Sequence, residues 1–234
     1  MAQFWTLDHI YRVKAFIRNL PAPAEFCLVL LIGFGLGFVL QFWAIAFRHP
    51  VSISDRHVLP DLGLDILYLG VILWIGRVRG WSIATFGWRI SWKGTAGGIL
   101  LFIAATMVKL IVGVSLVLSS SVFNSPRAGL SVAGLTVPVI ILLAIINPLF
   151  EEVLEAGYFI HSLQRFGMWP AVLASSVFRG LLHLYQGLGG AASIFAGGVL
   201  FGLVYWRWRQ LWPLFIAHSL DDLLGLLYLT HHAA

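Results

Sequence analysis

The sequence has few charged residues and a single cysteine. Lys, Arg, Asp and Glu make up 11% of its 234 residues, against roughly a quarter in soluble domains. This scarcity excludes an ordinary soluble domain. Hydrophobic residues make up 59% and mean hydropathy is +0.90, which predicts an integral, multi-pass membrane protein. Because Cys27 has no second cysteine to pair with, an intramolecular disulfide and a cysteine-based zinc site are also excluded.

The sequence also lacks a basic run with interleaved aromatic residues, which is the pattern of nucleic-acid binding. Its net charge of +5 comes from Arg and Lys residues that lie mostly at the ends of apolar stretches. We therefore predict no nucleic-acid partner. The basic residues instead indicate how the chain is oriented in membrane lipid.

Seven apolar stretches are long enough to be membrane-spanning helices. Their predicted bounds are 26–47, 58–76, 96–118, 134–158, 170–186, 190–206 and 211–229. The second is the weakest, since Asp61 and Asp65 shorten its apolar part. Residues 1–20 mix aromatic and basic residues, Phe4 and Trp5 among them, and predict an interfacial helix. The predicted fold class is an all-α membrane bundle of about seven spans plus this helix, with residues 1–234 as one domain.

Basic residues predict the orientation of the chain. With seven spans, ten basic residues fall on the N-terminal side and three on the other. The three are Arg48, Arg56 and Arg127. By the positive-inside rule the N-terminus is predicted to be cytoplasmic and the C-terminus outside. The expected location is the bacterial cytoplasmic membrane.

The fourth stretch contains three carboxylates, Glu151, Glu152 and Glu155. Helical spacing predicts that Glu151 and Glu155 share a face, while Glu152 points about 100° away. An ionisable side chain at the bilayer centre costs roughly 2.5–3.5 kcal/mol, so the cluster predicts a polar chemical site. The alternative is a helix end that emerges among lipid headgroups. Apolar sequence continues through Tyr158-Phe159-Ile160, which disfavours that alternative.

Two further pairs are spaced four residues apart, Arg179 with His183 and His218 with Asp222. At 1.5 Å per residue, these four residues and Glu151 lie about 10 to 21 Å from the cytoplasmic ends of their helices. We therefore expect them at a common depth. Arg179 is equally suited to an ion pair with the carboxylates and to substrate contact. For both histidines the alternative is a structural role within the bundle.

These segments together resemble the CPBP family, the CAAX-protease and bacteriocin-processing intramembrane endopeptidases. The first family motif, Glu-Glu, three residues, then Arg and often Gly, is met by Glu151, Glu152 and Gly157. The second, Phe, three residues, then His, is met by His183. The third, His, three residues, then Asn or Asp, is met by His218 and Asp222. The resemblance covers residues 134–229, the predicted catalytic core.

The chain departs from the family motifs at two positions. Ala156 stands where the first motif has Arg, and Arg179 stands where the second has Phe. We expect the two departures to compensate each other, since an Arg on the fifth helix can reach the same carboxylates. An exchange incompatible with the chemistry would instead make the protein a non-catalytic family member.

The resemblance implies peptide hydrolysis inside the membrane on a peptide or protein substrate. Glu151 is the expected base that activates water, and His183 and His218 are the expected orienting groups or oxyanion donors. Asp222 would support His218. The remaining charged residues would tune the pocket; they are Glu152, Arg179 and Glu155.

Three alternatives remain for the chemistry and the class. Two His residues with carboxylates can hold zinc, although the H-E-x-x-H pattern is absent and we predict no metal. A non-proteolytic immunity or assembly factor would merely bind a peptide. A proton-coupled transporter would use the same groups as a relay, but the sequence has none of the repeat symmetry that such transporters show.

Overall fold

The computed structural model describes residues 7–47, 52–119, 131–132 and 134–232. Two-residue strands β1 (Ser52–Ile53) and β2 (Ser131–Val132) pair in parallel. A π-helical segment, Glu152–Ile160, joins α5 to α6, and 3-10 turns cover Ile83–Phe86, Gln164–Phe166 and Leu184–Gln186. The α-helices are α1 (Leu7–Arg18), α2 (Ala22–Ala46), α3 (Asp55–Arg79), α4 (Trp92–Ser119), α5 (Val137–Glu151), α6 (His161–Leu163), α7 (Met168–Leu182), α8 (Gly187–Trp208) and α9 (Trp212–His232).

Five helical segments of the described chain are long and apolar enough to cross a membrane. They are Ala22–Trp43, Asp55–Arg79, Trp92–Leu116, Val137–Phe166 and Leu184–Trp208. The helical membrane class is therefore confirmed, and the second stretch belongs to this set despite its two aspartates. The count of seven stays a prediction, because α7 has only 15 residues and α9 is outside the set.

The predicted interfacial helix corresponds in part to α1. Tyr11 and Phe16 are exposed, whereas Ile17 is buried in the main core. The Nη1 of Arg79 in α3 also donates to the backbone oxygen of Arg18 at 2.5 Å. Helix α1 is thus attached to the bundle through its last turn. Phe4 and Trp5, which also belong to this prediction, lie outside the described residues, as do Arg48 and Arg127 of the charge count.

Glycines allow the helices around the site to approach closely. A Cβ atom on Gly98 of α4 would lie 2.7 Å from the backbone oxygen of Pro213, at the start of α9. A Cβ atom on Gly202 of α8 would lie 2.8 Å from the side chain of Val172 in α7. Small residues at such contacts are the usual means by which membrane helices pack. They bring α4 against α9 and α7 against α8.

An ion pair at one end of the bundle joins α2 to α3. The carboxylate of Glu25 lies 2.6 Å from the Nε of Arg79, and its other oxygen accepts a hydrogen bond of 2.8 Å from Trp81 Nε1. Glu25 is buried, with 8% of its surface exposed. This buried carboxylate lies outside the cavity described below.

Two predicted helices differ from the structure. The fourth is α-helical only to Glu151 and then continues as a π-helix, a rare form that the sequence did not predict. The fifth was predicted to reach residue 186, but α7 ends at Leu182. His183 has non-helical dihedral angles (φ −110°, ψ 14°), and its ring bonds to the backbone oxygen of Arg179. That hydrogen bond competes with continuation of the helix.

Candidate functional site

A cavity of about 1150 Å³ opens among α3, α4, α5, α8 and α9 and the end of α7. Five of the seven predicted site residues line it: Glu151, Arg179, His183, His218 and Asp222. The other two, Glu152 and Glu155, have no exposed surface and lie behind the cavity wall. Polar residues of α5, α7 and α9 therefore meet at one cavity, as predicted.

Arg179 is the common partner of the two carboxylates behind the wall. Its Nη2 lies 2.8 Å from Oε1 of Glu152, and its Nε lies 2.7 Å from Oε2 of Glu155. The Arg179 side chain is 9% exposed. A buried charge is costly unless it is paired, so one guanidinium compensates two carboxylates here. Of the two roles considered for Arg179, the geometry favours the ion pair.

The π-helical segment determines which carboxylate faces the cavity. The prediction that Glu151 and Glu155 share a face, with Glu152 turned away, is wrong. Glu152 and Glu155 meet the same guanidinium, and Glu151 alone of the three lines the cavity. The i→i+5 hydrogen bonding of a π-helix changes the register after Glu151, and α-helical spacing does not describe it.

His218 links the buried carboxylates to the cavity. Its Nδ1 lies 2.8 Å from Oε1 of Glu152, and a carboxylate only accepts, so Nδ1 carries a hydrogen. Its Nε2 lies 3.8 Å from Oε2 of Glu151 and 3.6 Å from Oδ1 of Asp222. Both distances are too long for a direct hydrogen bond. All three side chains line the cavity, where a water molecule beside them can contact the imidazole and a carboxylate.

His183 presents its other ring nitrogen at the cavity. Its Nδ1 lies 2.9 Å from the backbone oxygen of Arg179, so Nδ1 donates. In the neutral imidazole, Nε2 is then an acceptor. The ring lies beside Tyr185, with centroids 5.8 Å apart. His183 therefore caps α7, and it lines the same cavity as Arg179.

Several polar residues of the cavity wall, among them Asn147, Lys109 and Tyr185, were not predicted as site residues. Asn147, one turn before Glu151, donates its amide to Oδ2 of Asp222 at 3.2 Å. Lys109 of α4 places Nζ 2.5 Å from both carboxylate oxygens of Asp221. Tyr185 lies in the turn between α7 and α8. In the sequence, each of the three is a polar or phenolic residue inside an apolar stretch. None of them belongs to one of the three family motifs.

A second cavity, of about 520 Å³, lies among α2, α3 and α5. It shares six wall residues with the first cavity: Asp61, Asp65, Asn147, Glu151, His183 and Tyr185. Glu151 thus lies where the two cavities meet. A chain that extends from one cavity to the other would pass this carboxylate.

The residues do not form a ready-made metal centre. Within the described ranges, no three His, Cys, Asp or Glu side chains are grouped so that they can hold a metal ion. Nδ1 of each site histidine is already engaged, by Glu152 in one case and by a backbone oxygen in the other. A metal-bound histidine makes the same kind of contact through its second nitrogen, so these two hydrogen bonds leave Nε2 of each ring as the nitrogen available at the cavity.

The fold and the site define a helical membrane protein with an acid–imidazole site inside the bundle. Residues 133–224 match the family described as "Rce1-like: Type II CAAX prenyl endopeptidase Rce1-like". The match covers less than half of the chain and agrees with the resemblance carried by the three motifs, so this part of the chain is similar to the CAAX-protease (CPBP) family. The similarity suggests an intramembrane protease. No curated protein and no solved structure matches the chain.

Proposed function

We propose that the protein is an intramembrane endopeptidase that hydrolyses a peptide bond with a water molecule activated by Glu151. One observation carries the proposal: Nε2 of His218 lies 3.8 Å from Glu151 and 3.6 Å from Asp222, at the wall of a cavity of about 1150 Å³. One water molecule in the cavity, beside these atoms, can contact both the base and the imidazole. A general base must lie within this reach of the proton that it removes.

In the proposed reaction, Glu151 removes a proton from the water while its oxygen bonds to the scissile carbonyl carbon. The resulting oxyanion needs hydrogen-bond donors, and Nε2 of His218, which donates when the ring is the imidazolium, faces the same space. Collapse of the intermediate breaks the C–N bond, and the proton on Glu151 passes to the leaving amine. His183, with Nδ1 on the Arg179 backbone, orients the substrate or the water through Nε2.

The surrounding charges hold these groups in position. Glu152 fixes the ring of His218 through Nδ1, and Arg179 in turn fixes Glu152. Asn147 holds Asp222, which flanks Nε2 of the same imidazole. Such outer contacts set the tautomer and orientation of a working histidine. Glu155 contributes through Arg179 alone.

We propose a seven-span topology with residues 1–234 as one domain and the N-terminus in the cytoplasm. In addition to the five long apolar segments, α7 and α9 would cross the membrane. The excess of basic residues on the N-terminal side supports the orientation. A location in the bacterial cytoplasmic membrane and residues 134–229 as the catalytic core complete this proposal.

Product analysis tests the proposed activity. Purified protein in detergent is mixed with candidate membrane peptides, and new termini are identified by mass spectrometry. We expect wild type to cleave a peptide bond and His183→Ala to cleave it at least about 10²-fold more slowly, since a positioned acid–base group contributes 10²–10⁴-fold. Equal rates for the two proteins would contradict the role of His183. Absence of any new terminus with wild type would contradict the proposed function.

We propose that the reaction needs no metal. A chelator such as EDTA or 1,10-phenanthroline should leave the rate of cleavage within about twofold of the untreated enzyme, because Glu151 is itself the base. Zinc in the purified active protein should be far below one equivalent. Loss of activity on chelation, restored by added zinc, would replace this mechanism with a metal-assisted one.

A further inference from the structure

Most cationic donors at the cavity wall are already occupied by carboxylates. Arg179 contacts Glu152 and Glu155, and Lys109 contacts both oxygens of Asp221. Hydrolysis nevertheless develops a negative charge on the carbonyl oxygen, and donors aimed at that charge contribute strongly to catalysis. Nε2 of His218 is one donor in the proposed reaction, and a second donor would have to come from a described wall residue that is not already engaged.

The hydroxyl of Tyr185 is such a donor. Nε2 of Gln186 lies 3.1 Å from this hydroxyl oxygen. An amide nitrogen only donates, so the phenol oxygen accepts this bond and keeps its own hydrogen for another acceptor. Tyr185 lines both cavities, as Glu151 and His183 do. The residue that carries this hydrogen therefore belongs to the same wall as the base and the imidazole.

The position of Tyr185 is fixed before a substrate arrives. On α2, Gln41 accepts a hydrogen bond of 3.4 Å from the Tyr185 backbone N–H and donates one of 2.7 Å to the oxygen of Leu181. The Gln186 side chain packs on Gly190. A Cβ atom added to Gly190 would lie only 2.7 Å from Cβ of Gln186. The Tyr185 backbone, its hydroxyl and the neighbouring Gln186 side chain are each held by a separate contact. Donors fixed in this way lose little free energy to reorganisation during a reaction.

A neutral donor suits this wall better than a cation. The wall carries the carboxylates Glu151, Asp222 and Asp65. A free Lys or Arg would form an ion pair with one of them and weaken the base. A phenol hydroxyl donates a hydrogen bond without adding charge, and its proton stays on oxygen throughout.

From these contacts we propose that Tyr185 is a catalytic residue whose hydroxyl donates a hydrogen bond to the oxyanion of the tetrahedral intermediate. The inference rests on the proposed hydrolysis and adds a residue outside the three family motifs. No bond of Tyr185 is made or broken. Its hydrogen bond is stronger to the oxyanion than to the ground-state carbonyl.

The test compares Tyr185→Phe with wild type on the same peptide. Loss of one oxyanion donor is expected to lower kcat by about 10²–10³-fold, with KM within about twofold. Tyr205→Phe is the matched control, since that buried hydroxyl donates to the backbone oxygen of Phe86 at 3.2 Å, away from the cavity. It should lower the thermal unfolding temperature and keep kcat. Gln186→Met, which frees the Tyr185 hydroxyl, should lower kcat by about tenfold or less.

Two results would overturn the inference. The first is a kcat for Tyr185→Phe equal to that of wild type, while Glu151→Gln is inactive; this leaves the proposed function in place. The second is a fall in activity that matches a fall in the folded fraction, measured by thermal unfolding, with kcat per folded molecule unchanged. Inactivity of wild type itself would remove the proposed function and this inference together.

Discussion

Replacing Glu151 with Gln is expected to reduce peptide cleavage by at least about 10³-fold, near the upper part of the range for a general base. Gln has almost the same shape but cannot take a proton from water. Glu151 lines both cavities and lies 3.8 Å from Nε2 of His218, so the loss should appear in kcat and not in peptide binding. Single-turnover cleavage and binding of a labelled peptide measure the two quantities separately.

Glu25→Gln is the matched control for this variant. It makes the same chemical change at a buried carboxylate and disrupts the pairing with Arg79, but it lies outside the cavity. We expect a lower unfolding temperature and an unchanged kcat per folded molecule. If Glu151→Gln cleaves like wild type, the proposed mechanism is wrong. If that variant keeps the cellular effect of the protein without cleavage, a binding factor replaces the protease as the better reading.

Replacing Arg179 with Met is expected to destabilise the folded protein by about 3–5 kcal/mol, the cost of removing one partner from a buried ion pair. The guanidinium lies 2.8 Å from Glu152 and 2.7 Å from Glu155, and neither carboxylate has exposed surface. The variant would leave two buried carboxylates with only His218 as a cationic partner. Thermal unfolding in detergent, together with the yield of monodisperse protein, measures this effect.

Two companion variants separate charge from geometry at this position. Arg179→Lys keeps the charge, but an ammonium cannot reproduce the two-sided contact of a guanidinium, so intermediate stability is expected. The charge swap of Ala156→Arg with Arg179→Phe restores the family motifs and should regain both fold and activity. A well-folded but inactive double variant would show that the two departures do not compensate. An Arg179→Met protein as stable as wild type would contradict the ion-pair role.

The common depth of the polar residues could be anticipated from the sequence, because helical rise alone predicts it. Helical rise placed Glu151, Arg179, His183, His218 and Asp222 at a similar level, and all five line one cavity. Side-chain direction was harder to predict. Spacing assigned Glu155 to the face of Glu151, whereas the structure pairs Glu155 with Arg179.

The residues that the sequence did not reveal act through contacts between distant segments. Asn147 meets Asp222 across 75 positions, and Lys109 meets Asp221 across 112. Tyr185 depends on Gln41 of α2, 144 positions away. No local spacing rule encodes such pairs, because they form only when particular helices pack side by side.

The sequence by itself determined the helical class with apolar segments long enough to span a membrane, and its three motifs indicated the family that residues 133–224 match. Composition and helical rise suffice for these, since the bilayer imposes the same length and polarity on every span. Only the tertiary structure decided that Glu151 faces the cavity while Glu152 and Glu155 stay buried on Arg179. A π-helical change of register and the end of α7 at Leu182 produce this arrangement. Helical periodicity carries neither of them: the first is a change in backbone hydrogen bonding, and the second accompanies the hydrogen bond between the His183 ring and the backbone oxygen of Arg179.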